Sequence, residues 1–249
     1  MIVQACINGA RPVDFHPHLP LTAEAMATDG AACIAAGAAE LHIHPRGPDG
    51  RESLAAVDET MAAVRRACPG TFIGVSTGAW IENDAQRTRR AIDDWRRLPD
   101  YASVNLSEPD APAVMDLLRK KGVGIEVGLA TVGDAHRFVG LPDTDKVLRI
   151  LIEIDIQERH AAYDVAEEIA AVLDAAGIRK PILLHGADET VWPFVERARK
   201  RAWSSRVGLE DGKHLPDGTV AADNAAIVAA AVAIFRAGSI KEQKAATAT

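Results

Sequence analysis

The sequence has few cysteines, few aromatic residues and no excess of positive charge. Its 249 residues include three cysteines, and aromatic residues make up only 4%. Cysteines scattered without CxxC spacing indicate a chain with no disulfide framework and no zinc knuckle, so we expect a reducing, cytoplasmic compartment. The 28 Lys and Arg residues against 35 Asp and Glu residues give a net charge of −7, which disfavours nucleic acids and anionic membranes as partners.

Long apolar runs, a secretory signal and a glycine-rich phosphate loop are also missing. No stretch approaches the roughly 18 uninterrupted apolar residues of a membrane span. The start, MIVQACINGARP, has no basic segment ahead of a long apolar run. The first predicted strand is followed by Asn8-Gly9-Ala10-Arg11-Pro12 rather than by G-x-G-x-x-G. This difference disfavours a doubly wound dinucleotide-binding fold.

The chain does contain a regular alternation of β-branched runs with longer alanine-rich runs. The predicted strands are 2–7, 40–44, 72–76, 102–106, 124–129, 147–154, 181–185 and 205–209. The predicted helices are 22–36, 54–67, 82–98, 111–121, 133–138, 161–175, 190–201 and 221–237. Eight βα units in about 250 residues are typical of an α/β fold of the TIM (β/α)8 barrel type. We therefore expect one barrel domain over 1–238 and a frayed tail over 239–249.

Polar residues stand at nearly every predicted strand end, where the active site of a TIM barrel lies. The clearest pattern is His42-x-His44, because residues i and i+2 of a strand face the same side and can reach one ion. A third ligand should come from another strand end, and either Glu210 or Asp211 qualifies once the barrel closes. Further polar strand ends carry Asn8, Arg46, Asn105, Ser107, Glu153, Asp155 and His185.

Two other strand ends offer groups that bind anions. Arg206 presents a planar fork that suits a carboxylate or a phosphate, although an ion pair with a neighbouring carboxylate is the alternative. The sequence Ser76-Thr77-Gly78 offers hydroxyl and backbone N–H groups at a helix start, and plain helix capping is the alternative there.

Three remaining features have simpler expectations. Glu126 stands in an apolar strand, and we expect it at the barrel mouth rather than in the lower core. His16 and His18 form a second H-x-H pattern in a proline-rich loop, which indicates a rim or lid loop rather than a metal site. Trp80, like the other tryptophans, is expected to pack in the core or at an interface.

Several of these segments together resemble the β-keto acid cleavage enzyme family. They are NGA at 8–10, LPLT at 19–22, HIHPR with PDG at 42–50, STG at 76–78, and RVGLED at 206–211. The resemblance implies a TIM barrel with a catalytic divalent metal, normally zinc, bound by His42, His44 and Glu210. It also implies catalytic roles for Arg206 and Asp211, with Asp211 as the general base, and an acidic site residue at Glu126.

The family reaction transfers the acetate-derived end of a β-keto acid to acetyl-CoA. It releases acetoacetate and a new CoA thioester through a retro-Claisen step. Substrate contacts are expected from Asn8, Arg11, Arg46, Ser76, Thr77, Gly78, Asn105 and Ser107. Arg11 stands where the family usually has a glutamate, so we expect a small-molecule β-keto acid with a neutral or anionic substituent.

The resemblance also implies a homo-oligomer, most commonly a homotetramer. Residues 140–205 match the family pattern poorly, so two alternatives stay open. One is a metal-dependent hydrolase or C–C lyase on the same barrel that does not use CoA. The other is a barrel that binds a ligand without catalysis, which the number of polar strand ends disfavours.

Overall fold

The strands of the protein form one closed barrel. The structure is a computed structural model that describes the backbone of residues 1–246 and the side chains of residues 1–237. Neighbouring strands pair in parallel and in chain order, which confirms the predicted single-domain TIM barrel. The strands are β1 (Val3–Cys6), β2 (Glu40–Ile43), β3 (Phe72–Ser76), β4 (Tyr101–Asn105), β5 (Gly124–Leu129), β6 (Arg149–Ile154), β7 (Ile182–Gly186) and β8 (Ser204–Val207).

Helices follow the strands as the alternation predicts. They are α1 (Ala23–Ala35), α2 (Val57–Ala67), α3 (Ala79–Glu82), α4 (Ala85–Asp94), α5 (Ala111–Lys121), α6 (Val132–Val139), α7 (Arg159–Ala175), α8 (Val191–Lys200) and α9 (Asn224–Ala246). The last helix thus continues beyond the predicted end at 237. Because residues 247–249 lie outside the described residues, the division into a barrel over 1–238 and a frayed tail over 239–249 stays a prediction. Among the helices of the described part, none is both long and apolar enough to cross a membrane.

The predicted helix over 82–98 is divided in two. Asn83 has a left-handed backbone with φ of 50°, and it ends α3 after a single turn. Asp84 then caps α4, because its Oδ1 accepts the backbone N–H of Arg87 at 2.7 Å. Asn and Asp side chains bond to nearby backbone groups in non-helical conformations and therefore favour helix ends over helix interiors. The Asn-Asp pair at 83–84 was thus the sequence signal for this break.

The barrel strands alternate between an apolar outer face and a polar lumen. In β2, Leu41 and Ile43 belong to the main hydrophobic cluster, whereas Glu40 and His42, which alternate with them, are buried polar residues. This period of two is the expected pattern when helices cover the outside of a barrel and side chains fill its inside. The same alternation carries His42 toward the centre of the barrel.

A buried ionic cluster fills the lumen at the end where the strands begin. Arg149, the first residue of β6, forms ion pairs with both Glu40 and Glu126. Gln4 Nε2 donates hydrogen bonds of 2.8 Å to Glu40 Oε1 and to Tyr101 Oη. Burial raises the pKa of Glu40 above its ordinary value, although the bonds from Arg149 and Gln4 oppose the shift.

The position of Glu126 in this cluster corrects the sequence expectation. Glu126 is fully buried and lies opposite Arg149 in the register of β5 with β6, so it does not line the barrel mouth. An acidic residue in an apolar strand can face the lumen at either end of a barrel. Because Glu126 pairs with Arg149 and comes early in β5, it lies at the lower end of the barrel. Its position therefore does not support the catalytic role expected for it.

We expect the substitution Arg149→Met to destabilise the protein by about 3–5 kcal/mol, because it leaves two buried carboxylates without their counter-charge. The measurement is urea unfolding followed by circular dichroism. Arg179→Met is the matched control: Arg179 pairs with Asp174 at the surface, where both side chains are about 70% exposed. Surface pairs contribute at most about 1 kcal/mol, so equal unfolding midpoints for the two variants would contradict a structural role for the buried cluster.

Candidate metal centre

His42, His44 and Glu210 meet at the C-terminal mouth of the barrel. The Nε2 atoms of His42 and His44 are 3.2 Å apart, and His44 Nε2 is 3.3 Å from Glu210 Oε1. One ligand atom from each residue lies within 4.8 Å of the other two. Both histidines are buried, and Glu210 comes from the loop after β8, which reaches them because β8 pairs with β1 beside β2.

These three side chains fit a divalent metal ion. Ligand atoms at about 2.0–2.2 Å from one tetrahedral ion are roughly 3.3–3.6 Å apart, which agrees with the distances on either side of His44. Glu210 Oε2 is buried and has no hydrogen-bond partner among the described residues. Two imidazole nitrogens and one carboxylate are also the donor set of many catalytic zinc sites with an open position.

The protonation states of the three groups depend on burial and on their neighbours. Burial lowers the pKa of His42 well below its ordinary value, so it stays a neutral imidazole. Burial opposes charge on His44 as well, but Glu210 and Glu52 together raise its pKa to about 9. Burial alone would raise the pKa of Glu210, yet Arg206 and His44 hold it well below its ordinary value. A metal must therefore displace the proton of His44, and its affinity should fall as the pH decreases.

A second set of charged residues surrounds the same mouth. Arg206 Nη2 lies 2.5 Å from Glu210 Oε1 and 3.7 Å from Asp211 Oδ1. His185 stands between two carboxylates, with Nδ1 3.2 Å from Asp211 Oδ1 and Nε2 3.2 Å from Glu153 Oε2. Although burial opposes the charge of His185, and Arg206 does so too, Asp211 and Glu153 raise its pKa to about 9.

Asp211 combines burial with an oxygen that is free of protein hydrogen bonds. Burial raises the pKa of Asp211 above its ordinary value, and His185 and Arg206 oppose that shift. Its Oδ2 has no partner among the described residues. A pocket of about 380 Å³ opens here, lined by Arg11, Glu153, Asp155, Gln157, Ala187, Asp188, Arg206, Glu210 and Asp211. A carboxylate of raised pKa that borders a pocket can accept a proton from a bound molecule.

The predicted substrate residues at the ends of β3 and β4 lie at the mouth of the barrel. Some of their hydroxyl groups already form hydrogen bonds within the protein. Ser76 is buried and its Oγ accepts the N–H of Gly78 at 3.3 Å, while Thr77 Oγ1 donates to a β4 carbonyl at 2.7 Å. Asn105, the last residue of β4, is half-buried, and Ser107 in the loop that follows is exposed.

Asn8 and Arg46 support the metal-ligand strand instead of pointing freely into the pocket. The amide of Asn8 accepts the backbone N–H of His44 and donates to its carbonyl, both at 2.9 Å. Arg46 is buried and donates to the carbonyls of Gly9 at 2.7 Å and Arg11 at 2.9 Å. Several donor groups of these two side chains are therefore already used within the protein.

Arg11 is similarly engaged by the loops around it. Its guanidinium donates to the carbonyls of Glu210 at 2.8 Å and Asp211 at 3.0 Å, and it forms a 3.0 Å ion pair with Asp188. It also lies over the ring of Phe15. Its positive charge is therefore offset within the protein, which weakens the sequence argument that Arg11 selects the substrate substituent.

Glu52 also lies at this site, although no motif in the sequence pointed to it. Its Oε1 lies 2.5 Å from His44 Nδ1, and its Oε2 accepts a 2.9 Å hydrogen bond from Trp80 Nε1. The available signal was the Pro-Asp-Gly turn at 48–50, which folds the chain back so that Glu52 pairs with Arg46 in an antiparallel bridge. Trp80 itself is 48% exposed and is not a core residue.

The His-His-Glu cluster and a buried carboxylate lie together at the mouth of a TIM barrel. This arrangement forms a candidate metal-dependent active site. The family model described as beta-keto acid cleavage enzyme matches residues 1–248, and the chain belongs to this family. The family assignment confirms the resemblance seen in the sequence.

Solved structures similar to this chain support the fold. ObcA in a ternary complex with a C4-CoA adduct and oxalate has a TM-score of 0.71 at 18% identity, and ObcA with oxaloacetate has a TM-score of 0.67 at 18% identity. Each match covers 86% of this chain and 62% of the ObcA chain, so this chain spans about three fifths of that length. A type I 3-dehydroquinate dehydratase from Clostridium difficile has a TM-score of 0.64 at 11% identity, with 95% and 92% coverage.

We expect His44→Ala to abolish stoichiometric binding of a divalent metal, because it removes the middle one of three ligands. The measurement is elemental analysis of purified protein after dialysis against Zn²⁺ and then buffer. His18→Ala is the control, since His18 belongs to the other H-x-H pattern and is exposed in the loop before α1. Retained stoichiometric zinc in the His44 variant would refute the assignment of the ligands.

Proposed function

We propose that this protein is a zinc-dependent β-keto acid cleavage enzyme that uses acetyl-CoA as co-substrate. The reaction converts a β-keto acid and acetyl-CoA into acetoacetate and a new CoA thioester. The observation that carries the proposal is the buried Asp211, which lines the same pocket as the candidate metal ligand Glu210 and has one oxygen without a hydrogen-bond partner among the described residues. Family membership supports it independently.

The residues at the mouth have separable roles in this proposal. His42, His44 and Glu210 hold the ion, which when bound supplies Lewis-acid polarisation of a substrate ketone. Asp211 removes the proton from the carbon beside that ketone, because burial makes it a stronger base than an exposed aspartate. Arg206 offsets the negative charge of both carboxylates and keeps them oriented.

Substrate binding would fall to the loop after β3. Ser76 lies at the end of β3 on the lumen side, and its hydroxyl can donate to a substrate carboxylate while it accepts from Gly78. Thr77 and Gly78 shape the same loop. A neutral or anionic substituent, a homotetramer and a cytoplasmic location remain predictions of the sequence.

We expect purified protein loaded with Zn²⁺ to release acetoacetate from a β-keto acid only when acetyl-CoA is supplied. The measurement is a panel of β-keto acids with cationic, neutral and anionic substituents, incubated with and without acetyl-CoA and analysed by mass spectrometry. The new CoA thioester should appear in equal amount to the acetoacetate. Turnover of the keto acid without acetyl-CoA would favour the alternative of a metal-dependent hydrolase or C–C lyase.

We expect Asp211→Asn to keep the metal and to lose at least about a hundredfold in kcat, because the amide cannot accept the substrate proton. Kinetics and elemental analysis on the same preparation separate the two effects. Asp188→Asn is the control, since Asp188 lines the same pocket but contacts Arg11 rather than the metal-ligand cluster. A near wild-type kcat in the Asp211 variant would remove its role as the base.

A further inference from the structure

Glu52 has both of its carboxylate oxygens committed to named partners. Its side chain is only 10% exposed, with Oε1 2.5 Å from His44 Nδ1 and Oε2 accepting from Trp80 Nε1 at 2.9 Å. The carboxylate of Glu52 therefore lies on the side of the His44 ring that faces away from Glu210.

This contact decides which nitrogen of His44 faces the candidate metal centre. A carboxylate on Nδ1 keeps the proton on that atom and leaves Nε2 as the ligand, 3.3 Å from Glu210 Oε1. The backbone of His44 is already held by Asn8 on both its N–H and its carbonyl. Glu52 supplies the second restraint, on the ring itself.

Glu52 reaches His44 because a tight hairpin returns the chain after β2. Gly47 donates its N–H to the carbonyl of Arg51 at 2.8 Å, and Ser53 donates to the carbonyl of Pro45 at 2.9 Å. These bonds give the segment a fixed backbone. The position of Glu52 is thus determined by main-chain pairing as well as by its two side-chain contacts.

Trp80 joins this arrangement to the loop after β3. A Cβ built on Gly78 would lie 2.3 Å from the indole ring, so the ring packs directly against the backbone of Gly78. The N–H of Gly78 in turn bonds to Ser76 Oγ. One indole therefore touches the proposed carboxylate-binding loop on one side and Glu52 on the other.

We infer that Glu52 and Trp80 are positioning residues of the candidate metal centre. Glu52 orients the ring of His44 and increases its strength as a ligand, and Trp80 holds Glu52 in place from the loop of Ser76. The inference rests on the metal site of the proposed function, but it does not depend on the keto acid or on CoA. A carboxylate bonded to a metal-binding histidine commonly changes metal affinity by about 10–100-fold when it is removed.

The test is the affinity of metal-free protein for Zn²⁺ alone, measured by competition with a chromophoric chelator. We expect Glu52→Gln to weaken Zn²⁺ binding by about 10–100-fold. We expect Trp80→Phe, which keeps an aromatic ring but removes the indole N–H, to weaken it in the same direction by a smaller factor. Co²⁺ bound to the Glu52 variant should also show visible absorption bands that differ from those of the wild type, because they report the ligand geometry.

Two matched variants control for general effects of the substitutions. Glu59→Gln changes an exposed glutamate of α2, and Trp192→Phe removes an indole N–H that donates to the carbonyl of His214 at 2.8 Å. Both should keep wild-type affinity and the wild-type Co²⁺ spectrum. Thermal unfolding of each metal-free variant checks the fold, and if Glu52→Gln does not fold, Trp80→Phe carries the test.

The outcomes separate this inference from the proposed function. Wild-type affinity and an unchanged Co²⁺ spectrum in Glu52→Gln would overturn the inference while leaving the metal site intact. Equal losses in Glu59→Gln or Trp192→Phe would overturn it as well, because the effect would not be specific to His44. Failure of the wild-type protein to bind Zn²⁺ would overturn the metal site itself.

Discussion

The candidate metal centre depends on the close approach of the loop after β8 to the end of β1, where the barrel closes. A Cβ on Gly208 would lie 1.8 Å from the carbonyl oxygen of Cys6, so only glycine lets the β8 loop reach that strand. Gly9 has φ of +54°, and a Cβ there would lie 2.4 Å from the side chain of Glu210. Asn224 bonds to the backbone at both strand ends, at 2.7 and 2.8 Å. These contacts bring a glutamate from the end of the chain to histidines near its start.

The closed mouth then has to accommodate several buried charges. Glu210, Asp211 and Glu153 place three carboxylates near a single guanidinium, that of Arg206. Buried carboxylates are stable only when they are paired, and His185 supplies the second positive charge between Asp211 and Glu153. His185 therefore keeps Asp211 in one orientation. The pairing also explains why Arg206 is committed to the protein's own acidic groups rather than free for a substrate.

The barrel fold and the shared face of His42 and His44 could be predicted because both appear as patterns in the chain, whereas the choice of Glu210 over Asp211 as the third candidate ligand came from the family resemblance. The βα alternation predicts the barrel, and the period of two within a strand places His42 and His44 on one face. The depth of a side chain in the barrel lumen cannot be predicted in this way, because it depends on where its strand begins relative to the neighbouring strands. Glu126 illustrates this limit: it was expected at the mouth, but its register with β6 places it beside Arg149 at the opposite end.

A charged residue in the sequence also does not reveal which partner will use its charge. Arg11 and Arg46 resemble anion-binding residues, yet their guanidinium groups are engaged by carbonyls of the loops that surround the mouth. Long side chains reach across a barrel rim, so loop backbone competes with any ligand for their hydrogen bonds. Among the described residues, polar atoms left without a partner at the mouth include an oxygen of Glu210 and one of Asp211. Sequence alone marks where a mouth is polar, whereas the loop geometry decides which of its groups remain available for a ligand.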